Sequence, residues 1–80
     1  MKATGIIEIE EGLTLNNPTL EIEQISYKQS ESLVVVECIF KEENSIYKHS
    51  RNFNFEATKD MLKANVIALI NKHETLKNFK

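Results

Sequence analysis

The sequence has one cysteine, one proline, two glycines and no tryptophan in its 80 residues. Each shortage closes off a class of solution. A lone Cys38 excludes a disulfide within the chain. Cys38, His49 and His73 are the only soft metal ligands, too few for a structural zinc site. No catalytic, metal-binding or nucleotide-binding signature is present, so no cofactor and no small-molecule substrate are expected. No apolar run approaches the roughly 20 residues of a membrane span. The start, MKATGIIEIEE, has no apolar core of a secretory signal. Asn17-Pro18-Thr19 is not a glycosylation acceptor, because proline fills its middle position.

Basic charge is also short. The net charge of −2 argues against a general nucleic-acid binder. The charge is unevenly spread. Residues 1–23 hold five glutamates (Glu8, Glu10, Glu11, Glu21, Glu23) against Lys2, whereas residues 57–80 hold five lysines against Asp60 and Glu74. Two solvated faces of opposite sign explain this simply; a sharper alternative is association of one molecule's acidic end with another's basic end.

Charged residues at 28% and apolar residues at 41% are ordinary globular composition. A chain of this size forms one domain, spanning 1–80, with a thin core. With disulfides and zinc removed, oligomerisation is the remaining aid to stability.

The ordering stretch runs from Leu33 to Phe55. It reads LVVVECIF, then KEENS, then IYKHSRNFNF. Residues 33–40 are apolar at both parities apart from Glu37, which predicts a central strand with a neighbour on each side. Residues 46–55 alternate strictly, with Tyr47, His49, Arg51, Phe53 and Phe55 on one face. A two-residue loop at Glu43-Asn44 would place Phe40 opposite Tyr47 and Cys38 opposite His49. The preceding strand, near 20–27, changes parity between Ile22 and Ile25, which predicts a bulge at Glu23-Gln24. Its own turn would pair Tyr27 with Val34 and Ile25 with Val36.

Before this meander, residues 5–15 read as a hairpin turning at Glu10-Glu11-Gly12, with Ile9 opposite Leu13 and Ile7 opposite Leu15. Asn16-Asn17-Pro18 closes that unit. After the meander, residues 57–72 lack Gly and Pro. They place Leu62, Val66, Leu69, Ile70 and His73 on one helical face, which predicts a C-terminal helix packed on the sheet. The expected fold is therefore α+β, an antiparallel meander with an N-terminal hairpin and one C-terminal helix.

Three features exceed a plain core. Cys38 opposite His49 could be a nucleophilic pair or metal half-site, but more simply is a buried thiol beside a ring. The aromatic and basic residues of 47–55 could stack single-stranded bases, but their parity is the only one that can supply a core. Within that face His49 and Arg51 are unexplained polar contacts, and Arg51 requires an acid such as Glu23 or Glu56, or an exit at the helix margin. Finally, Leu33, Val35 and Ile39 on the sheet, with Met61, Ala64, Ile67 and Ala68 on the helix back, are surplus apolar surface. The hairpin folding over the sheet would account for the first set.

These features point to a non-enzymatic structural or protein–protein interaction module, self-assembling or part of a larger assembly. The alternative is a small acidic inhibitor or adaptor whose five N-terminal glutamates occupy a basic groove on a nucleic-acid-handling enzyme. Small, acidic, motif-free chains with one cysteine are common among phage-encoded proteins, virion components included. Cytoplasm or a virion is the expected location.

Overall fold

The computed structural model describes residues 1–56 and 63–80, the side chains of residues 63–65 excepted. Its architecture is α+β. Strands β1 (Ile6–Glu10) and β2 (Leu13–Asn16) form an antiparallel hairpin. Strands β3 (Thr19–Lys28), β4 (Leu33–Lys41) and β5 (Lys48–Glu56) form a separate antiparallel sheet in that order. A 3-10 turn at Gln29–Glu31 joins β3 to β4, and helix α1 (Lys63–Lys72) and a second 3-10 turn at Leu76–Asn78 complete the chain. The expected helix start at 57–62 lies outside the described residues.

β4 is the central strand, as its two-sided apolar pattern requires. Val34, Val36, Cys38 and Phe40 are buried on what we term the inner face. The β3–β4 register matches expectation, with Tyr27 opposite Val34 and Ile25 opposite Val36. The pairing slips between Ile22 and Gln24, so Glu23 is the extra residue. The slip lets Leu20, Ile22 and Ile25 all meet the same core, despite their opposite parities.

The β4–β5 register differs from the expected one by two residues. Phe40 faces His49, Cys38 faces Arg51, Val36 faces Phe53 and Val34 faces Phe55. The inner-face parity survives, but the connection is a six-residue loop, 42–47, in place of a two-residue turn. Two causes are visible. Neither Glu43 nor Asn44 is glycine, so a tight turn with two positive φ angles is disfavoured; only Asn44 adopts one, at 63°. The loop is also drawn toward the end of β2. Asn16 N–H donates to Glu42 Oε2 at 2.8 Å, and Asn17 Nδ2 donates to Glu43 Oε2 at 2.7 Å.

In the first hairpin Ile7 faces Leu15 as expected, but Glu10, not Ile9, faces Leu13. The pairing is irregular between Glu8 and Glu10, and Gly12 supplies the positive φ of 86° in the turn. Ile9 and Leu15 join the same buried cluster as Val36 and Phe40. The hairpin thus closes over the inner face and not, as expected, over Leu33, Val35 and Ile39. Those three remain half-buried. Their cross-strand neighbours are polar: Lys28, Ser26 and Glu21 on β3, and Glu56, Asn54 and Ser50 on β5. Such neighbours shade an aliphatic row without a covering layer.

The helix covers the rest of the inner face. Val66 and Ile70 are buried, and Leu69 is half-buried. Leu62 lies outside the described residues. The segment beyond the helix is fixed by Leu76 and Phe79, both buried, with the Phe79 ring 5.5 Å from that of Phe40. Lys2 and Lys80 exchange two backbone hydrogen bonds of 2.8 Å. On its other side the same N-terminal segment bonds to the start of β3 and the residue before it: Leu20 N–H donates to Met1 C=O at 2.8 Å and Ala3 N–H to Pro18 C=O at 3.0 Å. The start of β3 is thereby covered at its edge.

Candidate functional site

The Cys38–His49 pair does not form. Cys38 faces Arg51 across the ladder, and its side chain is wholly buried. Burial raises the Cys38 thiol to about 11, because ionising it there would strand a charge without solvent. A thiol held protonated is a poor nucleophile and a poor ligand. We expect Cys38 not to react with a bulky disulfide reagent in the native protein, and to react fully once unfolded; absorbance of the released thiolate reads both. The same burial has a pH consequence. The folded value exceeds the free value, so the unfolded chain ionises first. Stability is lost as pH rises from about 9 toward about 11. A Cys38→Ala variant should lack that component of the alkaline loss.

Arg51 finds an acid, but neither Glu23 nor Glu56. Its Nη2 donates to Glu10 Oε1 at 2.7 Å, and its Nη1 to the Ser50 carbonyl at 2.7 Å. The pair spans from β5 to β1, so it fastens the hairpin to the sheet. Sequence proximity pointed to acids beside the meander; the hairpin's placement on the inner face brings Glu10 instead. The side chains are 36% and 50% exposed, the range in which an ion pair adds little and salt screens it. The Arg51 hydrogen bond holds the Glu10 carboxyl below its ordinary range, and Glu10 in turn raises Arg51. With a lowered folded value, the contribution is present above the ordinary carboxylate range and disappears as pH falls through the lowered one. Arg51→Ala and Glu10→Ala should each quicken amide exchange in the hairpin. Their coupling in a double-mutant cycle should vanish in concentrated salt.

His49 is half-buried beside this pair, opposite Phe40. The other histidine is the better anchored. His73 stands edge-on to Phe53 and Phe55, with ring centroids at 5.0 and 5.9 Å. Its Nδ1 accepts backbone N–H groups from Thr75 at 3.1 Å and Leu76 at 3.3 Å. It therefore ends the helix and starts the turn that buries Leu76. Phe53 and Phe55 are committed to this packing as half-buried core residues, so they are not a free stacking platform.

Tyr47 departs most from expectation. It was expected inside with Phe53 and Phe55, but it lies in the 42–47 loop and is 73% exposed. Its neighbour Ile46, expected within a strand, is 85% exposed. Lys48 follows directly and faces Lys41 across the ladder. The loop thus presents an aliphatic, an aromatic and a pair of cations together. The signal that could have located it was the polar run KEENS without a glycine, which favours a longer loop over a tight turn.

The remaining surface candidates are dispersed. Ile67 is 38% exposed and Ala68 is exposed on the helix back. Met61 and the Ala64 side chain lie outside the described residues. Glu8, Glu10 and Glu11 belong to the hairpin, and Glu21 and Glu23 to β3; all five are exposed, and Glu10 is already engaged by Arg51. A shallow hollow of about 530 Å³ lies between β1 and the C-terminal turn, lined by Ile6, Glu8, Glu10, Glu74 and Asn78 among others. Among the described residues no three His, Cys, Asp or Glu side chains are grouped to hold a metal ion, and no helix is long and apolar enough to cross a membrane. No protein-family model, no curated protein and no solved structure matches this chain.

Proposed function

We propose that the protein is a non-enzymatic interaction module that associates with copies of itself, alone or within a larger assembly such as a virion. The observation that carries this reading is the exposure of Ile46 and Tyr47 together on one loop. Isolated exposed apolar residues are common on any surface. An exposed isoleucine–tyrosine pair beside paired lysines is a different matter, because tyrosine and its aliphatic neighbours supply contact area at low conformational cost. The loop also leads directly into β5, so apolar contact and a strand edge are adjacent on the same part of the fold.

Light scattering across protein concentration tests the reading. Mass above that of one chain is expected, rising with concentration and resistant to salt, as apolar contact requires. A double variant, Ile46→Ser with Tyr47→Ser, should lower that mass while leaving the fold intact, since both side chains are exposed. Ile67→Asp on the helix back should leave it unchanged. A single-chain mass at millimolar concentration overturns the proposal. Association that collapses in moderate salt points instead to charge-driven pairing through the glutamates.

A further inference from the structure

The two edges of the sheet differ. The first residues of β3 are paired with Met1–Ala3, and the bulge at Glu23 interrupts the strand further along. A covered start and a bulge are devices that keep a strand edge from pairing with another chain. β5 carries neither. It runs nine residues from Lys48 to Glu56 with no proline and no register irregularity against β4. Among the described residues no strand lies on its other side. Lys48, Ser50, Asn52, Asn54 and Glu56 are all exposed.

The β5 sequence, KHSRNFNFE, has an internal complementarity. About Asn52 as centre, Lys48 and Glu56 are equidistant and opposite in sign; Ser50 mirrors Asn54, Arg51 mirrors Phe53, and His49 mirrors Phe55. We infer that β5 pairs antiparallel with the β5 of a second copy, centred on Asn52, joining two three-stranded sheets into one of six strands. This inference rests on the self-association proposed above and specifies its register. A twofold axis through Asn52 sets each Lys48 against the other molecule's Glu56, so both ends of the ladder carry an opposite-charge pair. On the inner face each Arg51 lies opposite a Phe53, and both stay engaged within their own molecule, Arg51 with Glu10 and Phe53 in the core. Other registers lose the match: a shift by two residues, toward either end, sets Lys48 against Asn54 or leaves Glu56 facing Ser50. The terminal charges that guard the edge against foreign strands are those that admit its own copy.

Charge exchange between the ends is the test, read by sedimentation equilibrium. Lys48→Glu alone sets glutamate against glutamate at both ends, and Glu56→Lys alone sets lysine against lysine. Each variant should weaken the dimer roughly tenfold. An equimolar mixture of the two restores both opposite-charge pairs in the heterodimer, and should associate within about twofold of the natural protein. Circular dichroism of each variant confirms folding, and the mixture contains the same two molecules as the separate samples. A mixture as weak as its components overturns the register. If the Ile46→Ser, Tyr47→Ser variant still loses mass in that case, self-association stands and the β5 pairing is wrong. A natural protein that stays a single chain at every concentration overturns both.

Discussion

Phe40→Ala is expected to lower the unfolding free energy by about 3–5 kcal/mol, the usual result of emptying a phenylalanine-sized site in a tight core. Phe40 has no solvent exposure, sits on the central strand and meets Phe53 and Phe79 at centroid distances of 6.0 and 5.5 Å. These rings belong to three separate parts of the chain: β4, β5 and the C-terminal segment. Backbone hydrogen bonds lock the flanking β4 positions to both neighbouring strands, so the site has little freedom to collapse around the void. A domain of this size has a total stability of roughly 4–12 kcal/mol. The loss is therefore a large fraction of the whole, and chemical denaturation should show either a much lower midpoint or no folded baseline. Phe40→Leu keeps most of the volume and should lose much less, which separates packing from any special need for the ring.

Phe79→Ala should have a comparable effect by another route, about 3–4 kcal/mol from the packing alone. Phe79 is the last buried side chain, and residues 1–3 depend on the segment that carries it. Lys2 is bonded to Lys80 on one side, and its neighbours Met1 and Ala3 are bonded to Leu20 and Pro18 at the start of β3 on the other. Loss of the Phe79 anchor should release Lys80, then the N-terminal segment, then the covered start of β3. Hydrogen exchange distinguishes this from uniform destabilisation. Protection of the Lys2 and Leu20 amides should fall before that of Val36, whereas Phe40→Ala should lower all of them together. Uniform loss in Phe79→Ala would show that the two ends do not open as a unit.

The meander was legible because its information is local. Parity alone assigned Val34, Val36, Cys38 and Phe40 to one face, and the conflict between Ile22 and Ile25 located the bulge. The β4–β5 register was not legible to the residue. Period-2 alternation is blind to a shift of two, so His49 and Tyr47 were equally good partners for Phe40. What decided between them is remote in sequence: the Asn16–Asn17 turn grips Glu42 and Glu43, and that grip exists only after the hairpin has docked. The same remoteness hid the partner of Arg51. Its need for an acid could be read from the core parity of β5, but Glu10 lies on a different sheet. The hairpin's own placement followed from neither pattern. Ile9 and Leu15 would satisfy either side of β4, and the inner face prevails because Phe40 and Phe79 give it a deeper apolar floor. The loop at Ile46 and Tyr47 was lost through the register shift alone.

The exchanged bonds between Lys2 and Lys80 also set how the molecule meets mechanical tension. The two segments run antiparallel, so both chain ends leave from the same side of that pair. A pull between them does not load the bonds in parallel, as it would if the ends departed in opposite directions. It opens them one after another, like a zip, and then peels Met1–Ala3 from β3 in the same manner. Tethered by its ends, this domain should yield at low force from that corner, whatever the strength of the core behind it.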